Sequence, residues 1–379
     1  NFVVNIKLIV ASFKTAVSLG VLHTLAAATT ADGRALTTFP VYYSSKKGDA
    51  TQRQLREGDL VGRCRLSKCT AKTAAAWRLK CEIRCRIPQK EAMDAEYMPS
   101  VWGVRLRGDE LILDYCQKAM DNSTITRQEL PCELGLRYGP HPRETMDVYG
   151  YGRVPENAPI LVFFHGGYWI EGDKDMHAFV AKPFVESGLA VVVAGYPLAP
   201  ESTLDQIVES ARHCMTCVIK MSKQKNSAGI IVSGHSAGAH LAAMVLSSQS
   251  WTSRSENLAC IKGAVLFSSV LDVKPLLSTS VAKDAAITMN QAEINSPLEV
   301  VNLFPRDVFV QLVLAEHDPP PFHRQTKRYM EALQDRGIKC ELVVYNDEDH
   351  FSFFPRLMDK EDEVTSQIIK NVLRETGTA

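Results

Sequence analysis

Apolar and polar positions follow two different patterns along this chain, and the change falls near residue 91. Residues 1–30 are apolar, whereas 44–90 are polar and basic with little hydrophobic periodicity. Beyond them, short apolar runs alternate with longer amphipathic stretches. The runs at 159–164 and 189–196 are continuous, as expected of strands buried on both faces. Segments 135–139 and 144–151 read as early antiparallel strands, and 230–233, 264–268, 309–315 and 341–345 as further strands. Between them, 205–223 carries Ile207, Ala211, Cys214, Val218 and Met221 on one helical stripe. Helices are also predicted near 322–336 and 362–374, and the small residues of 239–246 suit a closely packed one. This alternation predicts the α/β class, with an open, mostly parallel central sheet flanked by helices. No internal repeat is visible.

Composition narrows the picture. Forty-three basic residues balance forty-three acidic ones among 379, so no global field points to nucleic acid or a membrane surface as a partner. No run of eighteen uncharged apolar residues suggests a transmembrane helix. The ten cysteines are irregularly spaced and do not form a disulfide framework, which points to a reducing compartment, the cytoplasm or nucleus. Cys214 and Cys217 fall inside the predicted helix 205–223, where core packing explains them better than redox chemistry. Cys64 with Cys69 and Cys81 with Cys85 have spacings that zinc can use. They lack the glycine and proline turns of a zinc knuckle, and no metal is assigned. Two regions follow: an N-terminal extension over 1–90 and a catalytic domain over 91–379. Within the extension, residues 15–28 ending in Ala26-Ala27-Ala28 are compatible with a signal peptide or an organelle presequence.

The chemistry centres on Gly234-His235-Ser236-Ala237-Gly238. A β-branched run leads into this G-x-S-x-G pattern and a small-residue helix follows it, the order a nucleophile elbow requires. Ser236 is therefore the candidate nucleophile. In a sheet of this kind, active-site residues follow the carboxyl ends of strands. Asp318 satisfies that condition after 309–315, and His350 after 341–345. The chain order Ser, Asp, His is that of the α/β-hydrolases. Asp272, after strand 264–268, competes for the acid role, with Asp318 favoured. His235, His240, His317 and His323 read as local hydrogen-bonding residues. Phe164-His165-Gly166-Gly167-Tyr168-Trp169 follows the first buried strand. The N–H groups of Gly166 and Gly167, with that of Ala237, are candidates for an oxyanion hole.

His165-Gly166-Gly167-Tyr168-Trp169, Gly234-His235-Ser236-Ala237-Gly238, Asp318 with Phe322-His323-Arg324-Gln325, and Asp349-His350-Phe351 together resemble kynurenine formamidase (arylformamidase), in the α/β-hydrolase superfamily. Gln128-Glu129-Leu130-Pro131-Cys132-Glu133-Leu134-Gly135 and Tyr138-Gly139-Pro140 resemble that family's early segment. The likeness runs from about residue 91 to the end. The tryptophan in H-G-G-x-W sets it apart from the H-G-G-G hydrolases. The resemblance implies hydrolysis of N-formyl-L-kynurenine to L-kynurenine and formate in tryptophan catabolism, with neither metal nor organic cofactor. It implies a small-molecule substrate and a homodimer. It also implies Ser236 as nucleophile, His350 as base and then acid, and Asp318 as the orienting carboxylate. Tyr168 and Trp169 are candidates for closing the acyl pocket or stacking on the aniline ring; packing of the loop is the alternative for Trp169. Two rival readings are a broad carboxylesterase with the same triad and a non-catalytic hydrolase-fold binding protein.

Overall fold

The apolar runs line up as neighbours in a single eight-stranded sheet. The computed structural model describes residues 89–252 and 258–378. The presequence-like segment and Cys64, Cys69, Cys81 and Cys85 lie outside the described residues. The strands are β1 (Cys132–Arg137), β2 (Thr145–Tyr149), β3 (Ile160–Phe164), β4 (Ala190–Ala194), β5 (Ile230–His235), β6 (Ile261–Phe267), β7 (Phe309–Ala315) and β8 (Cys340–Tyr345). Their spatial order is β1-β2-β4-β3-β5-β6-β7-β8. β2 runs antiparallel to β1 and β4, and every other pairing is parallel.

Strand geometry explains the continuous runs. Successive side chains on a strand point to opposite faces, so a strand covered on both sides needs apolar residues throughout. In β3, Ile160, Val162 and Phe164 enter one core, and Leu161 and Phe163 the other. The first core is closed by α3 (Leu204–Gln224) and α4 (Ala237–Leu246), and also includes Phe322, Tyr329 and Leu333 of α5 (Pro320–Asp335). The second takes residues from α2 (Asp109–Glu129) and α6 (Glu363–Thr376). The molecule thus has helix, sheet and helix layers, the α/β-hydrolase architecture expected above.

Most elements fall where the pattern placed them, with shifted ends. α3 is fixed by a capping box in which Thr203 accepts from the Gln206 N–H and the Gln206 side chain accepts from the Thr203 N–H. Its stripe buries Ile207, Ala211, Cys214 and Val218, so Cys214 is a packing residue, and Cys214 and Cys217 are both free thiols. β1 starts three residues earlier than expected and carries an irregular register between Glu133 and Leu136, which blurs its alternation. The sequence pattern did not reveal the 21-residue α2. Its buried positions are Leu111, Ala119, Ser123 and Thr126, half of them hydroxyls, so the apolar stripe is faint. The short helices Ser280–Asp284 and Met289–Ile294 between β6 and β7 were also unread. No helix among the described residues is long and apolar enough to cross a membrane.

The order of strands places the site. From β3 the chain moves outward to β4, then returns to add β5 on the other flank of β3. At such a reversal, adjacent loops diverge and leave a crevice at the carboxyl ends of the strands. The loops after β3 and β5 flank that crevice.

Candidate active site

Ser236 occupies the turn between β5 and α4 with φ 55° and ψ −118°. A side-chain-bearing residue adopts such a conformation only when its surroundings enforce it. Here the Ser236 N–H donates to the Phe267 carbonyl at 2.8 Å, and both flanking glycines are needed sterically. A β-carbon on Gly238 would stand 2.0 Å from the Phe164 carbonyl oxygen, and one on Gly234 2.4 Å from the Gly238 backbone. Strand and helix therefore meet only because these positions lack side chains. The N-terminus of α4, a helix buried along its whole length, brings its partial positive charge to Ser236.

The loop after β3 lies directly against this elbow. A β-carbon on Gly166 would reach within 3.2 Å of the Ser236 Cβ. Tyr168 and Trp169 follow with φ values of 46° and 63°, and the Gly167 carbonyl accepts from the N–H groups of Ile170 and Glu171. These bonds coil the loop. Among the described residues, no hydrogen bond uses the N–H groups of Gly166, Gly167 or Ala237. The loop is held from behind: His165 stacks on Tyr196 at 4.1 Å, and the Tyr196 hydroxyl donates to the His165 carbonyl.

Tyr168 and Trp169, the candidates for closing the acyl pocket, are both anchored by hydrogen bonds. Trp169 is completely buried. Its Nε1–H donates to His240 Nδ1 at 3.2 Å, which leaves the proton of the neutral ring on Nε2, donating to the Asn295 carbonyl at 2.6 Å. Burial pushes the His240 pKa down to about 4, so the ring stays a neutral acceptor. Trp169 thus pins the loop to α4, the packing role that was its alternative. Tyr168 is nearly buried too, its hydroxyl donating to the Tyr97 carbonyl at 2.6 Å.

Asp318 and His350 meet although 32 residues separate them. The Asp318 Oδ1 lies 2.6 Å from His350 Nδ1, and both side chains are almost wholly buried. Asp318 Oδ2 accepts from the Ala315 N–H at 2.8 Å and from Ser268 Oγ at 2.6 Å. Asp272, the competing acid, instead accepts from the Lys274 N–H and lies 4.0 Å from Arg328. On the other side, His235 of the elbow contacts the His350 carbonyl through Nε2 at 3.1 Å, with ring centroids 4.5 Å apart. Burial first, then the charges His350 and His177 can carry, push the His235 pKa well below its ordinary value. His235 and His240 are therefore local hydrogen-bonding residues.

Three contributors were not found in the sequence. Ser268, at the end of β6, is one. Another is the part played by Asp349, which the sequence offered only within the Asp349-His350-Phe351 likeness: fully buried, it accepts from the N–H groups of Phe351 and Ser352 and so shapes the turn carrying His350. An aspartate accepting from the N–H two residues on is an Asx turn. The third is the segment from α1 (Gln89–Tyr97) to Arg105. The Val104 N–H donates to Asp349 Oδ2 at 2.9 Å, Arg105 pairs with Glu348, and Tyr97 holds Tyr168. Among the described residues, no group of three or more His, Cys, Asp or Glu side chains could hold a metal ion.

Comparisons with known proteins agree with this arrangement. A family model described as the alpha/beta hydrolase fold matches residues 161–354. The kynurenine formamidase of Danio rerio is 32% identical over 286 residues, covering 75% of this chain and 96% of that protein. That of Drosophila melanogaster is 26% identical, covering 75% of this chain and 98% of the relative. A solved structure from a Silicibacter species, described as a thioesterase, superposes with a TM-score of 0.62 at 27% identity, covering 72% of this chain and 97% of its own. The chain belongs to the kynurenine formamidase family, built on the α/β-hydrolase fold.

Proposed function

We propose that this chain hydrolyses the formamide bond of N-formyl-L-kynurenine, yielding L-kynurenine and formate, with Ser236, Asp318 and His350 as its catalytic triad. The observation that carries the reading is the buried Asp318–His350 pair packed against a strained serine elbow. His350, oriented through Nδ1, takes the Ser236 proton as Oγ attacks the formyl carbon. The N–H groups of Gly166, Gly167 and Ala237 have no other partner among the described residues and receive the tetrahedral oxyanion. His350 then gives its proton to the arylamine nitrogen, which departs and leaves a formyl-enzyme. Water, deprotonated by His350, attacks that ester, and formate leaves as Ser236 regains its proton.

The formyl group carries only hydrogen on its acyl carbon, so it needs little room beyond the oxyanion loop. Tyr168 and Trp169, both nearly or fully buried, fill space on that loop, which suits a small acyl group over a long chain. Ser236→Ala tests the nucleophile: turnover of N-formyl-L-kynurenine should fall by at least about a thousandfold, while unchanged turnover would remove Ser236 from the mechanism.

A further inference from the structure

Ser268 reaches the proposed triad through the Asp318 carboxylate. It follows β6, between the strand that leads to Ser236 and the one that leads to Asp318. Its backbone has φ 45°, a left-handed conformation that glycine adopts freely and serine only at a cost. Its side chain is almost completely buried, and its hydroxyl donates to Asp318 Oδ2 at 2.6 Å. The Ser268 N–H is itself bound to the Val313 carbonyl of the neighbouring strand at 2.8 Å, so the hydroxyl is held by the sheet rather than by a free loop.

We infer that Ser268 is a positioning residue for this hydrolase: its hydroxyl fixes the rotation of the Asp318 carboxylate so that Oδ1 faces His350. The inference rests on the reading of Asp318 as the carboxylate that orients His350. A carboxylate on a short side chain can swing about its terminal torsion, which has a broad, roughly two-fold profile. The Ala315 N–H holds only Oδ2, the oxygen that also accepts from Ser268, and a single donor there restrains the torsion less than two do. A second donor from a different strand defines the plane. It also draws negative charge toward Oδ2, which tempers the pull of Oδ1 on the imidazole proton. The strained backbone has a purpose under this account. Glycine would satisfy the conformation at Ser268 but cannot supply the hydroxyl.

That contrast yields a test with opposite signs for stability and rate. In the full chain, Ser268→Gly removes the hydroxyl while relieving the backbone, and Ser268→Ala removes the hydroxyl alone. Both should lower kcat on N-formyl-L-kynurenine about tenfold with KM changed less than twofold. Ser268→Gly should melt no lower than the parent. The acid limb of the kcat/KM profile should move to higher pH, because Oδ1 then carries more charge and holds the imidazolium more tightly. Labelling of Ser236 by a fluorophosphonate should slow in parallel, which reads the relay whatever the substrate. In an Asp318→Ala background, Ser268→Gly should add no further loss, since it acts only through that carboxylate. A tenfold loss that persists in the Asp318→Ala background, or a Ser268→Gly variant with parental kcat and pH profile, would overturn the assignment of Ser268. Parental activity and labelling in Asp318→Ala itself would overturn the underlying triad as well.

Discussion

At the scale of single residues, the site depends on atoms that are absent as much as on those present. Gly238 lies so close to the Phe164 carbonyl that a methyl group has nowhere to go. Gly238→Ala should therefore destabilise the fold by about 3 kcal/mol or more, in the range of severe packing errors, as a lowered melting temperature would show. Asp318→Asn is the complementary case. It preserves shape but cannot hold His350 in the tautomer that donates from Nδ1, and kcat should drop by about 10³–10⁴-fold while the melting temperature stays near the parent's. A kcat within tenfold of the parent would contradict that role. Ser236, Asp318 and His350 could be put forward from sequence because each follows a strand and their chain order is that of the α/β-hydrolases. Ser268 could not, since a lone serine signals nothing until the fold brings it to a carboxylate 50 residues away.

At the scale of elements, the loop after β3 and helix α4 act as one unit, coupled by Trp169 and His240. The sequence reading placed both elements but left the tryptophan between packing and substrate contact, because an aromatic residue beside an oxyanion loop suits either. It is completely buried and bonded to His240, as packing requires. This coupling carries a pH signature. In the unfolded chain the His240 ring titrates near its ordinary value, whereas in the fold its pKa is pushed down to about 4. The unfolded state thus binds the proton first as pH falls, so the contribution is intact above about pH 6.5 and is lost progressively between 6.5 and 4. The loss amounts to about 3 kcal/mol. His165 and His235, also lowered by burial, act in the same direction. His240→Gln keeps an acceptor for Trp169 but does not titrate. Its melting temperature should fall less steeply over that range; an unchanged slope would contradict the assignment.

For the whole molecule, five neighbouring strands (β3, β5, β6, β7 and β8) bring the proposed triad, Ser268 and the loop after β3 to one end of the sheet. The parallel core was readable because strands buried on both faces show as continuous apolar runs. What crosses over that end was not. The stretch from Tyr97 to Arg105 has no clear period, yet it bonds to the oxyanion loop and to the turn carrying His350. A chain beginning at Arg86 retains these contacts and should keep the parental kcat/KM. One beginning at Asp109 loses them, and its kcat/KM should fall at least tenfold with the sheet still folded by circular dichroism. Equal activity of the two chains would show that the segment is a passive cover.

Formamide cleavage through Ser236 is the proposal on which the rest depends. Absorbance-monitored hydrolysis of N-formyl-L-kynurenine, beside a short-chain p-nitrophenyl ester and with Ser236→Ala as control, tests it most directly. L-Kynurenine should be released fast and the ester cleaved slowly, with both activities lost in the variant. Ester cleavage without formamide turnover, or formamide turnover that survives Ser236→Ala, would contradict it.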